Sequence, residues 1–513
     1  MNVVFHELKP ARRALTIAAW VALAATPFIL LAIVSLAVGH NAWQSNPVWT
    51  DELDYWRGVF SWLHMGGQTG YNGIGEQTAL LGTLSVHGVT PILLYGWYAL
   101  LFGWDFSSIV MANALWISLG AVVFIALNRP KARTSLTMAL ALMAYAPVVL
   151  YCATSMTELA NYGLLLFYLA FVTRLWNVRH AAGIHPPVTK GLPSLILACL
   201  TVLVCCTYRI TYAVLWLPLI IVACDAEFSG KMGLSFLAAL LGTLFIYYIS
   251  ALLACPFTSG FLYNFLRAGS AEMALRMFLS HAKANLLDYF VNQPASVMEG
   301  LQRWLYCGVM ALTLILSFVR ADRSQGRLRL RLGLDGFSLA AFAMLFIPFA
   351  IVVCAYETND WSDYRTLAPF LWLVVSACLI RGRRLAPALY LAGCAAILAV
   401  LLTGAPVGAY SDDARFVTKP FTTETQELCA AVAYDPSATD PFVNTVRTDL
   451  FNLQTVAMLH PGIGLETGWF TADTVGKSRW ILTDHLKIPL EGYEQVYKNA
   501  IGSVYRQTSA EAQ

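Results

Sequence analysis

Three carboxylates and three aromatic rings lie within NPVWTDELDYW, residues 46–56, just after the first long apolar segment. Asp51, Glu52 and Asp54 can serve as general bases, because a carboxylate within about 3 Å of a hydroxyl can take its proton during attack. A structural alternative is that Thr50 caps a helix whose first turn carries two of the acids, where they meet the positive end of the helix dipole. Both interpretations predict that a helix starts near Thr50.

Cationic side chains accompany these acids on segments that the topology below places on the same side. The guanidinium fork matches two phosphate oxygens at once and can stabilise a leaving phosphate. The candidates for phosphate binding are Arg57, Arg267, Arg276, Lys283 and Arg365. Arg365 ranks first because it stands at the entrance to an apolar segment. Arg267, Arg276 and Lys283 also suit an amphipathic helix that contacts lipid headgroups.

Each of the other candidate residues has a functional or a structural interpretation. Glu158, in YCATSMTELANY, begins a later apolar segment and is the second catalytic candidate. Tyr55 and Tyr364 can stack on a sugar ring or anchor the chain at the membrane interface. Asp54 supports the site or is solvated. Arg209 is expected to snorkel to the interface or to pair with an outer acid.

Composition indicates the class of protein. Of 513 residues, 58% are hydrophobic and 12% are charged, and the mean hydropathy is +0.61. These values are typical of a polytopic membrane protein and exclude a single soluble core. The net charge of +3 gives no indication of a nucleic-acid partner. Most cysteines lie in apolar runs without metal-ligand spacing, and His64, His87 and His281 are interpreted as packing residues, so no metal site is predicted from these residues.

Apolar segments predict about eleven transmembrane helices, since a helix needs about 20 residues to cross a bilayer and fewer where loops are short. The segments are 14–38, 107–128, 134–151, 159–173, 192–207, 210–224, 233–253, 304–319, 336–355, 366–380 and 385–403. Lys and Arg accumulate on the cytoplasmic side of membranes. With the N-terminus inside, 18 of the 33 Lys and Arg fall on short inside segments and 7 on outer loops.

The distribution of Lys and Arg also predicts on which side of the membrane the remaining segments lie. Residues 88–104 are apolar, but a crossing there would turn the basic segment RLRLR outward, so we predict an interfacial or re-entrant helix on the outer face. Two large outer loops follow, 39–106 and 254–303, the second with amphipathic helical stretches. Residues 404–513 are polar, contain the strand-like WILTDH and SVYRQ, and predict a small outer α/β domain beside a transmembrane domain of residues 1–403.

Several motifs together resemble the GT-C superfamily of polyprenyl-phosphate-sugar-dependent glycosyltransferases, of the protein mannosyltransferase and lipid A aminoarabinose transferase type. They are the Asp51-Glu52 pair, the short helix from Thr90-Pro91 to Phe102-Gly103, APVVLYCATSMTE and DYRTLAPF. The chain departs from the family's His-Pro-Pro at His87-Gly88-Val89-Thr90-Pro91 and has Glu158 where Asp is common. The likeness covers the layout of residues 10–380.

This resemblance implies an inverting transfer of sugar from a polyprenyl phosphate to an acceptor hydroxyl at the periplasmic face. Asp51 would be the base, Glu52 would orient hydroxyls and Glu158 would be the second carboxylate. The expected partners are the lipid-linked donor, a glycan, lipid or protein acceptor, and the bilayer. The family includes metal-dependent and metal-free members, so a divalent cation is an open alternative. Ala-rich spans favour the bacterial inner membrane.

Two other classes of membrane protein remain as alternatives. An O-antigen polymerase or ligase also has large outer loops and lipid-linked sugars, but it usually relies on Arg and His in a late loop and lacks a soluble tail. A transporter or flippase needs ionisable groups at mid-membrane depth, and the interiors of the predicted spans contain no such groups. A third interpretation gives the tail a receptor-like or structural role, since a small α/β domain can bind an acceptor without doing chemistry.

Overall fold

The computed structural model describes residues 10–66, 70, 72–74, 84, 87–180, 191–224, 230–253, 268–294, 296–324, 327–355, 365–403, 415–416, 422–467, 476–484 and 491–508. This part of the chain is mainly helical. Its α-helices are α1 (Pro10–Val38), α2 (Thr50–Met65), α3 (Thr90–Phe102), α4 (Ser108–Asn128), α5 (Ala132–Met143), α6 (Ala146–Tyr151), α7 (Glu158–His180), α8 (Leu192–Tyr208), α9 (Trp216–Ala223), α10 (Gly230–Leu253), α11 (Ala271–Phe290), α12 (Val297–Phe318), α13 (Gly336–Ala355), α14 (Ala368–Ile380), α15 (Leu385–Leu402), α16 (Thr423–Ala430) and α17 (Leu453–Met458).

Each of the eleven predicted spans coincides with helical structure, which confirms the expected polytopic class. Among the described residues, seven helices are long and apolar enough to cross a membrane: α1, α4, α7, α10, α12, α13 and α15. The other predicted spans form shorter or interrupted helices.

Two interruptions have identifiable local causes. The predicted span 134–151 is divided into α5 and α6, and Tyr145 between them is extended. Pro147 in the first turn of α6 lacks an N–H and cannot continue a preceding helix, which explains the break. The predicted span 210–224 begins as a 3₁₀ helix, Ile210–Leu215, and only then becomes α9.

The helices α4 and α7 run parallel and in close contact. Asn113 donates from Nδ2 to the carbonyl of Met156 (2.7 Å), and Asn128 donates to that of Ala170 (3.0 Å). Between these bonds, Gly120 and Gly163 face the opposite backbone so closely that a Cβ built on either would lie within 2.6 Å of a backbone atom. This pair fixes the position of Glu158 at the start of α7 relative to α3 and α4.

The two ends of the helical bundle carry different sets of charged residues. At one end, which we call the basic end, Trp20 donates to the carbonyl of Pro130 (2.9 Å), Arg381 lies 4.3 Å over the ring of Trp176, and Arg383 pairs with Asp335 (3.0 Å). These contacts gather the segments that the sequence predicts as cytoplasmic. The opposite end, which we call the rim, carries the starts of α2 and α7.

Two helices of the predicted outer loops lie at or near the rim. The helix α3 has 13 residues, about 20 Å, and is too short for a hydrocarbon core of about 30 Å. Tyr95 anchors it to Asn113 (2.9 Å), while Leu100 and Leu101 at its end are exposed. The helix α11 starts behind the cap Ser270, as the amphipathic pattern predicts.

The tail folds as the predicted α/β unit, and its sheet takes one strand from the segment between α2 and α3. The strands are β1 (Gly73–Ile74), β4 (Thr445–Thr448), β5 (Gly464–Thr467), β6 (Trp480–Thr483), β7 (Tyr493–Lys498) and β8 (Ser503–Gln507), in the spatial order β1-β5-β4-β6-β8-β7. β1, β5, β4 and β6 are parallel and the others antiparallel. The sheet thus crosses the predicted domain boundary at residue 404.

The basic segment after α12 forms a hairpin that the sequence interpretation did not include. Its strands, β2 (Val319–Ser324) and β3 (Arg327–Leu332), are antiparallel and pair Arg320 with Arg331 in register.

The contact between α4 and α7 makes a stability prediction. Changing Gly163 to Ala places a methyl group 2.5 Å from the backbone of Trp116, so the helices must separate, and we expect a loss of about 1–3 kcal/mol. Thermal unfolding of the purified protein measures it. Gly242 in α10 has no neighbour within 4 Å of its Cβ position, so Gly242→Ala is the matched control. A Gly163→Ala protein as stable as that control would contradict the close contact.

Candidate active site

The start of α2 is capped by Glu52 from inside the helix. Its Oε2 accepts hydrogen bonds from the backbone N–H groups of Val48 (2.9 Å) and Trp49 (2.8 Å). Helix α2 begins at Thr50, as predicted, but the side chain that satisfies the free N–H groups is that of Glu52 rather than Thr50. The prediction that Thr50 caps the helix is therefore wrong, although Glu52 does lie in the first turn.

Glu52 also receives donors from distant parts of the chain. Arg415 of the tail donates from Nη1 to Oε1 (2.8 Å) and from Nη2 to Oε2 (3.1 Å), and both side chains have 0% exposure. The backbone N–H of Ser155, shortly before Glu158, donates to Oε1 (2.6 Å). With its oxygens engaged and without water contact, Glu52 is not placed to orient substrate hydroxyls, and we assign it a structural role.

Asp51 stands next to this buried pair but faces outward. Its side chain is 42% exposed, and Oδ2 lies 3.4 Å from Nη1 of Arg365, which is itself 32% exposed. His87 Nε2 lies 3.9 Å from Asp51 Oδ1 and 3.4 Å from Asp54 Oδ2. These separations are longer than those of a strong charge-assisted hydrogen bond. The structure therefore places Asp51 and Arg365 next to each other, in a partly exposed pair with a long contact.

Glu158 forms a second carboxylate pair at the rim. It is 3% exposed, and its Oε1 accepts from the hydroxyl of Tyr208 (3.0 Å) and from Nη2 of Arg209 (3.3 Å). Arg209 also donates to Oγ1 of Thr366 (2.6 Å), the residue after Arg365. Arg209 therefore pairs with an acid, which is one of the two alternatives that the sequence offers for it. Asp51 and Glu158 thus lie on one side of the bundle, joined through the segment that begins α14.

Tyr55 and His87 fill the space between the two pairs. The ring of His87 packs on that of Tyr55, with centroids 4.4 Å apart. Burial, followed by the proximity of Tyr208 and Glu158, raises the pKa of Tyr55 well above its ordinary value, so its hydroxyl stays protonated. Because Tyr55 is buried, its side chain packs within the rim and does not offer a face to a sugar.

Arg57 has a structural position. Its guanidinium donates to the carbonyl groups of Val456, Leu459, His460 and Ile463, at 2.5 to 3.1 Å, around the end of α17. Burial lowers its pKa to about 9, so the group is still charged near neutral pH. It attaches the tail to α2 and is not available as a phosphate ligand.

The remaining predicted ligands are not brought to Asp51. Arg276 pairs with Glu272 on the exposed face of α11 (2.6 Å), and Lys283 occupies another exposed position there. Such placement suits contact with headgroups, the alternative given by the sequence. Arg267 and Tyr364 lie outside the described residues.

Whether the described residues could bind a divalent cation depends on how their His, Cys, Asp and Glu side chains are grouped. Among them, no group of three or more His, Cys, Asp or Glu side chains could hold a metal ion. Glu52 and Glu158, the carboxylates that might have joined Asp51 as ligands, each pair with an arginine. The arrangement of the described residues therefore does not fit a divalent cation.

Sequence reasoning missed one contributor to the site, Arg415. Arg415 lies in the tail, hundreds of residues from Glu52, and only the folded chain brings them together. His87 was interpreted as a packing residue, and it does pack on Tyr55, but the sequence did not place it beside Asp51 and Asp54.

Comparisons with known proteins add limited information. Searches of family models and of curated proteins found no match. Among solved structures, the chain is similar to ArnT from Cupriavidus metallidurans bound to undecaprenyl phosphate, with a TM-score of 0.45 and 13% identity over 94% of this chain and 98% of that one. It is also similar to the apo oligosaccharyltransferase of Archaeoglobus fulgidus, with a TM-score of 0.45 and 11% identity over 88% of this chain and 64% of that one. Likenesses of this strength carry no conclusion about the reaction.

The role of Arg57 predicts a large effect on the tail. Arg57→Met keeps the apolar stem but leaves several buried carbonyls without a donor, so we expect a loss of about 3 kcal/mol or more and faster proteolysis of the tail. Thermal unfolding and limited proteolysis measure these effects. Arg276→Met removes an exposed ion pair and should change stability by less than about 0.5 kcal/mol. Equal effects of the two substitutions would contradict the structural role of Arg57.

Proposed function

We propose that this chain is a GT-C-type glycosyltransferase that moves a sugar from a polyprenyl-phosphate carrier to an acceptor hydroxyl, with inversion, at the outer face of a bacterial inner membrane. The observation that carries the proposal is the Asp51–Arg365 pair, a partly exposed anion and cation 3.4 Å apart at the rim of a helical bundle. The basic end lies opposite and would face the cytoplasm by the positive-inside rule.

The pair offers both charges that such a transfer needs. The acceptor oxygen forms a bond to the anomeric carbon while the bond from that carbon to the phosphate oxygen breaks. The acceptor's proton passes to Asp51, which acts as general base. The departing phosphate carries its negative charge away without protonation, and Arg365 stabilises that charge. The long contact between Asp51 and Arg365 allows the guanidinium to turn toward the phosphate.

Inversion is supported by the state of the other carboxylates. A retaining transfer through a covalent intermediate needs a second carboxylate as nucleophile. Near Asp51, the described carboxylates of Glu52 and Glu158 are buried and paired with Arg415 and Arg209, and that of Asp54 lies 3.4 Å from Nε2 of His87. A single displacement with Asp51 as base requires none of them as nucleophile.

The location of the pair also suits a lipid-linked donor. Arg365 lies three residues before α14, a buried apolar helix of the bundle, and Asp51 lies in the first turn of α2. The pair therefore lies at the end of the helical bundle, where the phosphate of a membrane lipid would reside. No nucleotide sugar is available outside the cell, so a transferase there must draw on such a donor.

Replacing Asp51 tests the base directly. With purified protein, synthetic polyprenyl-phosphate sugars and a membrane extract as acceptor, Asp51→Asn should lower the rate of sugar transfer by about 10²–10⁴-fold. The unfolding temperature should be nearly unchanged, because Asp51 is partly exposed. Asn is similar in size and cannot take the proton. Full transfer by this variant would remove the assignment of the base.

Replacing Arg365 tests the stabilisation of the leaving phosphate. Arg365→Gln should lower kcat by about 10²–10³-fold, the effect of losing one electrostatic stabiliser of a transition state. Lys283→Gln, at an exposed position of α11, is the matched control and should leave kcat unchanged. A larger loss for Lys283→Gln than for Arg365→Gln would place the phosphate elsewhere.

A further inference from the structure

The tail reaches into the candidate active site at one described residue, Arg415. Its guanidinium forms the two hydrogen bonds to Glu52 and lies 4.8 Å over the ring of Trp49, and its backbone carbonyl accepts from the N–H of Asn46 (2.8 Å). The next residue, Phe416, stacks on His40. This short segment of the tail thus runs along the chain that leads from α1 to α2.

Arg415 supplies the opposite charge that the buried carboxylate of Glu52 faces. Burying a carboxylate is costly unless an opposite charge and hydrogen bonds replace its water. Without Arg415 the first turn of α2 must shift so that water can reach the carboxylate of Glu52. That shift moves the turn that also carries Asp51.

The tail has other attachments that do not involve Glu52. Arg57 binds the end of α17, and β1 adds to the tail's sheet beside β5. Gly70 also lies close to the backbone of the tail, since a Cβ atom built on it would lie 1.9 Å from the carbonyl oxygen of Asn444. Loss of Arg415 alone should therefore leave the tail in place and change the local geometry at α2.

From these contacts we infer that Arg415 is a positioning residue for sugar transfer: through its buried ion pair with Glu52, the tail domain holds Asp51 in place. The inference rests on the proposed function and gives the tail a role in the reaction itself. Arg415 does not touch the substrate. It acts through Glu52 on the backbone that carries Asp51 and on the segment around Ser155 that leads to Glu158.

The test compares Arg415 variants with wild type in the polyprenyl-phosphate sugar transfer assay, with rates expressed per folded molecule. Arg415→Gln should lower kcat about 10- to 100-fold, since a displacement of about 1 Å from the reacting geometry has effects of this size. KM for the donor should change less than about 3-fold, because Arg365 is untouched. Arg415→Lys restores the charge with one point donor and should recover part of kcat.

Controls separate this inference from its premise. Arg506→Gln, in the exposed pair with Glu494 on the tail's sheet, should match wild type. If wild type transfers sugar and Asp51→Asn does not, the proposed function stands, and Arg415→Gln with a kcat within 2-fold of wild type would overturn the positioning role alone. If Arg415→Gln does not fold, Arg415→Lys decides: a wild-type kcat per folded molecule overturns the inference, and a reduced kcat supports it.

Discussion

The arrangement of the rim depends on one buried carboxylate, Glu52. A carboxylate that loses its water is tolerated only where charge and hydrogen bonds replace that water. Here the replacement comes from three separate segments: the turn before α2, the loop around Ser155 and the tail through Arg415. None of these can withdraw without leaving an unsatisfied charge in the interior. The same contacts therefore set the position of Asp51, one residue earlier, and of Glu158, three residues after Ser155.

Burial divides the charged residues of the rim into two functional classes. Glu52, Arg415 and Arg57 are buried and hydrogen-bonded to other parts of the chain, so their charges stabilise the fold. Asp51 and Arg365 are partly exposed and joined by a long contact, and such pairs contribute little to stability. A weak exposed pair can exchange partners with a substrate at small cost. The proposed chemistry therefore uses Asp51 and Arg365, whose pairing contributes little to the stability of the fold.

Local patterns predicted much of the fold, because the helices and the tail strands each have their own signature. The apolar segments, the start of α2 at Thr50, the helix α11 and two tail strands agree with the structure. The alternation in RLRLRL is also typical of a strand, in agreement with β3. The pairing of Glu52 with Arg415, the carbonyl contacts of Arg57 and the place of β1 in the tail's sheet could not be predicted. Each joins segments hundreds of residues apart, and no local periodicity encodes such a contact.

A double-mutant cycle between Glu52 and Arg415 tests the dependence of the rim on this ion pair most directly. The free energy of unfolding would be measured for wild type, Glu52→Gln, Arg415→Gln and the double variant in one bilayer mimetic. Each single change leaves a buried charge unpaired and should cost about 3–5 kcal/mol. The double variant should then be more stable than the sum predicts by about 1–3 kcal/mol. Additive effects, within about 0.5 kcal/mol, would show that the two residues act independently and would contradict the account.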